Sequence, residues 1–159
     1  MWERLRRFSS LPTDARGIFL RAAVLLPVIS ISLKMRGFGA TQKFLLGSLP
    51  IARQTSQQNS IHNVGDLKRT ELTSLMVNAA ITHVWRASTC LEKSLALWWL
   101  LGRHGIACEL RIGARKLDGK FEAHAWVERD GATLSDPQQQ HRHYAAFDAA
   151  FPLHKSETP

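Results

Sequence analysis

Residues 90–136 read CLEKSLALWWLLGRHGIACELRIGARKLDGKFEAHAWVERDGATLSD, and this stretch decides the fold. From Cys90 the run is apolar and helix-like, to about His104, and Gly105 stands where a left-handed residue would end it. The period then changes from about 3.6 to 2. Cys108, Leu110, Ile112 and Ala114 alternate with Glu109, Arg111, Gly113 and Arg115. After a turn at Leu117-Asp118-Gly119-Lys120, Phe121, Ala123, Ala125 and Val127 alternate with Glu122, His124, Trp126 and Glu128. A second turn signal, Asp130-Gly131, leads into a short strand to Asp136, which Pro137 ends. A helix followed by antiparallel hairpins is an α+β pattern.

Working outward, residues 14–35 read as a helix. Thr13 or Asp14 can cap it, and Ile18, Ala22, Leu25 and Ile29 form a stripe at spacings of three and four. Pro27 should bend it, and Gly37 and Gly39 should interrupt it before a short helix from Thr41 to Leu46. Residues 47–65 are rich in Ser, Gln and Asn and read as a linker or mobile loop. Asp66 can cap a further helix carrying Leu67, Leu75, Met76, Ala79, Ala80 and Val84, to about Trp85. The expected organisation is a helical N-terminal segment with a polar loop (1–65), a core (66–140) and a polar C-terminal tail (141–159), partly disordered near its end.

Composition narrows the function. The chain has 159 residues, enough for one domain with its own core, and 45% of them are hydrophobic. Two cysteines without a CxxC argue against a disulfide framework or a structural zinc site and fit a reducing, cytoplasmic location. His62, His83, His104, His141, His143 and His154 follow no metal-ligand spacing, and no cofactor is expected. The net charge of +8 favours anionic partners. The basic residues are scattered, however, with no dense tract and no aromatic ladder, so nucleic acid is not expected as a partner. The apolar run 22–33 is too short to span a bilayer, which needs about 20 residues. It reads as a buried helix or one in peripheral contact with a membrane.

The residues that carry chemistry are Cys90, His124 and Asp136. A cysteine at a helix start lies where unpaired N–H groups and the helix dipole favour a thiolate and can hold an oxyanion. Thr89 or Ser88 can cap that helix. His124 is the candidate base and Asp136 its orienter. Their meeting depends on the second hairpin. A two-residue Asp130-Gly131 loop would set Asp136 opposite Ala125. A three-residue loop, Arg129-Asp130-Gly131, would set it opposite His124, and that form is expected. Trp126 shares a strand face with His124 and would shield it. Cys108, Trp98 and Trp99 read as core. His141 and His143 flank Arg142 in the polar tail and should face solvent.

The Cys-Leu pair opening an Ala/Leu-rich helix, the Arg-x-x-Gly-Ile that ends it, HAWVE and the Asp after an Asp-Gly turn resemble the transglutaminase-like leader peptidases of bacterial lasso-peptide biosynthesis. The likeness covers residues 86–137. It implies a transglutaminase-like or papain-like cysteine peptidase core with Cys90 as nucleophile, His124 as base and Asp136 as orienter. It further implies that the precursor's leader peptide is cut off and the core peptide passed to a lactam-forming cyclase. Residues 1–65 lack the three-strand pattern of a leader-recognition domain, so the resemblance implies a separate recognition protein. The Cys90 N–H would supply one oxyanion donor, with Arg86 and Ser88 as candidates for a second. Two other functions fit the same residues. One is an amidase or amide-exchange enzyme of the same fold, which shares the acyl-enzyme. The other is a non-catalytic scaffold that binds peptide or anionic membrane.

Overall fold

The computed structural model describes residues 11–49, 64–85, 88–134, 140–147 and 151–152. Among the described residues three helices, α1 (Thr13–Gly47), α2 (Val64–His83) and α3 (Cys90–Arg103), precede five strands. These are β1 (Glu109–Leu117), β2 (Lys120–Arg129), β3 (Ala132–Thr133), β4 (Ala145–Ala146) and β5 (Phe151–Pro152), with a 3-10 turn at Gln140–His143 before β4. The sheet is antiparallel in the order β3-β2-β1-β4, with β5 pairing elsewhere along β1.

α1 buries the expected stripe: Ile18, Ala22, Leu25 and Ile29 are all in the interior. It continues through Pro27, and its one non-helical residue is Gly37, at φ 74° and ψ −179°. A side chain at that φ would be strained, so glycine suits the kink. Beyond it the second arm adds Leu45 to the core. Thr41, four residues on, donates its hydroxyl to the Gly37 carbonyl at 2.8 Å. Neither Thr13 nor Asp14 caps the helix: Pro12 holds the cap position, its carbonyl accepting from Arg16 N–H at 3.0 Å. Similarly α2 begins at Val64, which puts Asp66 in its first turn rather than at its cap. Most of the polar stretch expected as a loop, 50–63, lies outside the described residues.

α3 is the centre of the molecule. Leu95, Leu97, Trp98, Leu100 and Leu101 have no exposed surface and meet Leu26 and Ile29 of α1, Val77 of α2, and Leu110 and Val127 of the sheet in one cluster. Burying each of these larger side chains contributes about 1.5–3 kcal/mol. Trp99 is half-buried and ties α3 to the end of α1, its Nε1–H donating to the Leu45 carbonyl at 3.1 Å and to Ser48 Oγ at 2.9 Å. Gly105, at φ 73°, ends the helix as expected.

Both hairpins turn on Asp-Gly. Asp118 and Gly119 have φ of 50° and 79°, and Asp130 and Gly131 have φ of 51° and 76°. The flanking pairs are Leu117 with Lys120 and Arg129 with Ala132, so both loops have two residues. Positive φ at both central positions matches the twist of the strands, which is why this dipeptide favours the two-residue form. The expected three-residue loop at 129–131 is therefore incorrect. Its register would have paired Asp130's neighbours one residue differently, and every facing relation beyond the turn changes with it.

Candidate active site

The start of α3 is well fixed. Thr89 caps it, with Thr89 Oγ1 accepting from Glu92 N–H at 3.3 Å and Glu92 Oε2 accepting from Thr89 N–H at 2.8 Å. This reciprocal pair satisfies two donors of the helix end. Glu92 is buried, so the cap is shielded from water. Cys90 is the first helical residue and is partly exposed. Of the two residues expected as possible caps, Thr89 takes the role, while Ser88 Oγ donates to the Thr89 carbonyl at 3.3 Å. Arg86 lies outside the described residues.

One turn along α3 from Cys90, on the same face, Ser94 Oγ donates to the carbonyl of Ala125 at 2.9 Å. Ala125 is the neighbour of His124. Its cross-strand partner Ile112 turns its carbonyl to Phe147 N–H on the far side of β1, so Ala125's own polar groups point away from β1, toward the edge where β3 pairs. The beginning of the cysteine helix thus meets β2 along this edge at Ala125, while the His124 side chain, one residue earlier, lies on the opposite face of the sheet from the helices.

The two faces of the sheet differ. Leu110, Ala125 and Val127 are buried on the helix side. On the other side Glu109, Arg111, Gly113 and Arg115 of β1 stand opposite Glu128, Trp126, His124 and Glu122 of β2. Cross-strand ion pairs join Arg115 to Glu122 at 2.7 Å and Arg111 to Glu128 at 3.3 Å. The contact with Glu122 raises the Arg115 pKa. His124 lies among aromatic rings on this face. Trp126 stacks beside it, centroids 5.9 Å apart at 20°, and Tyr144 lies 5.2 Å from it at 32°. Trp126 Nε1–H donates to Glu128 Oε1 at 2.6 Å, which fixes the indole.

Gly113 makes this packing possible. A Cβ there would stand 2.8 Å from the Ala145 carbonyl oxygen and 2.9 Å from the Trp126 ring. The absent side chain admits both the indole and strand β4. Tyr144, just before β4, also receives the Arg115 guanidinium over its ring at 4.7 Å. His141 lies 5.9 Å from the Trp126 ring and within 3.2 Å of Thr133 Oγ1. It is half-buried, not solvent-facing as expected, because the C-terminal segment folds back over this face. His143 is exposed. Tyr144 and His141 were missed from the sequence, where the tail shows no periodicity to place them.

Asp136 lies outside the described residues. The ladder between β2 and β3 pairs Glu128 with Thr133 and Arg129 with Ala132, and Leu134 N–H donates to the Val127 carbonyl at 2.8 Å. Regular continuation would set residue 136 opposite Ala125, on the face away from His124. Direct cross-strand pairing of Asp136 with His124 therefore does not follow from this register. Cys108 is core, as expected: it is buried, its Sγ lies 3.9 Å from the Trp98 carbonyl, and burial pushes its thiol pKa far up. No group of His, Cys, Asp and Glu among the described residues could hold a metal ion.

Residues 25–147 match a family model described as the transglutaminase-like superfamily, which covers most of the chain. The chain belongs to the transglutaminase-like superfamily. Cysteine-based catalysis is typical of that superfamily. Its matched region begins within α1 and ends just after β4, so the later part of α1 and the returning segment through β4 fall inside it. No curated protein and no solved structure is matched by the chain.

Proposed function

We propose that this transglutaminase-like protein is a cysteine peptidase that cuts the leader from a ribosomally made lasso-peptide precursor in the cytoplasm. The observation that carries this reading is the capped helix start bearing Cys90, which Ser94 ties to β2 at Ala125, the residue after His124. Proton transfer between them requires the imidazole, on the other face of the sheet, to reach the thiol past the strand edge. The superfamily match and the sequence likeness of residues 86–137 to lasso-peptide leader peptidases support it.

In this mechanism His124 takes the Cys90 proton and the thiolate adds to the carbonyl at the leader–core junction. The Cys90 N–H at the helix start, with a second donor such as Ser88 or Arg86, holds the tetrahedral oxyanion. The C–N bond breaks, and the imidazolium gives its proton to the departing core amine. Water, deprotonated by His124, then cleaves the leader thioester and releases the leader carboxylate. The freed core amine is what a lactam-forming cyclase consumes. Asp136 is the proposed orienter of His124, a role that requires the chain to leave the β2 ladder after Leu134. Leader binding is assigned to a separate recognition protein.

The test is incubation of precursor with the recognition protein and this chain, with and without a free primary amine. Peptidase action yields a leader ending in a carboxylate. A leader ending in an amide of the added amine would identify amide exchange instead, since both reactions pass through the same acyl-enzyme.

A further inference from the structure

α1 is apolar on two sides. Ala22, Leu26 and Ile29 face the core, while Leu20, Val24, Ile31 and Met35 on the other side are exposed by 54, 66, 56 and 78%. The spacings of four, seven and four keep these four on one stripe, about 22 Å long. Past the kink at Gly37 the second arm brings exposed Phe44 to Val28, Ile31 and Met35, and together they line a shallow groove of about 300 Å³. An apolar surface of this extent on a soluble chain marks something it binds.

The charge around it indicates what. Arg21, Lys34, Arg36 and Lys43 are all exposed, and Asp14 is the only acid between residues 13 and 47. On a helical projection Arg21 and Lys34 fall on opposite flanks of the stripe. We propose that this face of α1 docks in the plane of an anionic bilayer surface. The stripe and groove sink to the headgroup–acyl boundary, and the flanking cations meet lipid phosphates.

A spanning orientation does not fit. α1 is long enough, and its most apolar window has a mean hydropathy of 1.9, yet a third of that window is buried against the rest of the protein. Giving Leu26 and Ile29 to lipid would expose the core cluster built on α3. A second copy is disfavoured by charge, since a two-fold contact would face one basic rim with the other on chains of net charge +8.

Full-length protein is to be sedimented with vesicles of equal parts phosphatidylglycerol and phosphatidylcholine, and with phosphatidylcholine alone. Binding is read without peptide and so does not depend on the peptidase reading. The expected result is binding to the anionic vesicles only, weakened by salt. It should weaken about tenfold or more in Val24→Glu/Ile31→Glu and in Arg21→Glu/Lys34→Glu, both with unchanged thermal unfolding. Those positions are exposed, so the fold tolerates them. No binding at low salt, or equal binding by the first variant, overturns the proposal. So does a stable dimer or a protein complex that Val24→Glu/Ile31→Glu abolishes while vesicle binding is absent.

Discussion

Ser94 Oγ donates a 2.9 Å hydrogen bond to the carbonyl of Ala125, joining the cysteine helix to the strand of His124 at a buried point. Ser94→Ala leaves that carbonyl short of a partner. We expect a loss of about 1–3 kcal/mol in urea unfolding. The turn carrying Cys90 also loses its tie to β2, so turnover should fall further than stability alone accounts for. An unchanged kcat in a folded Ser94→Ala protein would show that this link does not position the thiol.

Gly113 and Trp126 make a second such relation. Gly113→Ala forces a Cβ against the Ala145 carbonyl and the indole that stacks on His124. The expected cost is about 1–3 kcal/mol, as for other overpacked sites. Trp126 fluorescence should change, and kcat should drop as the imidazole loses its neighbour. Gly39→Ala is the control: nothing lies within 4 Å of a Cβ there, and both properties should hold.

The two cysteines should separate cleanly by reactivity. Partly exposed Cys90 should be alkylated by iodoacetamide in the folded protein, and buried Cys108 only after denaturation. Burial also holds the Cys108 thiol protonated, against smaller effects of Arg129, which lowers its pKa, and Glu109, which raises it. The folded form therefore resists releasing a proton that the unfolded chain gives up. Cys108 should leave stability unchanged below the ordinary thiol range, near pH 9, and reduce it above, by about 1.4 kcal/mol per pH unit. Comparing unfolding of wild type and Cys108→Ala across that range reads the effect as a difference in slope.

Asp136 is the proposed orienter, while Glu122 shares the face of His124 and already pairs with Arg115. Asp136→Asn should lower kcat by several orders of magnitude, as loss of an orienting carboxylate does in other triads. Glu122→Gln should lower it far less. The reverse order would move the orienter to Glu122.

Much of this was legible in the chain. Thr89 or Ser88 before Cys90 indicates a capped helix start, although the part of Glu92 in that cap was not read, and the change of period after Gly105 indicates the hairpins. The spacing of Ile18, Ala22, Leu25 and Ile29 gave the buried face of α1. The Asp130-Gly131 register was misread, although Asp118-Gly119 carries the same two-residue signal and folds the same way. The return of the tail had no pattern to read. β4 and β5 have two residues each, and their place is set by pairing to β1 at Gly113, Ala114, Glu109 and Leu110, a long-range contact without local periodicity. His141 and Tyr144 come to the face of His124 only through that return.

The central claim is that Cys90 opens the leader–core bond. The direct measurement is the rate of leader release from precursor, with the recognition protein present, by wild type, Cys90→Ala and Cys108→Ala. The account predicts loss of release in Cys90→Ala, its persistence in folded Cys108→Ala, and a leader thioester on Cys90 by mass spectrometry of quenched wild type. Leader release by Cys90→Ala at the wild-type rate would contradict it.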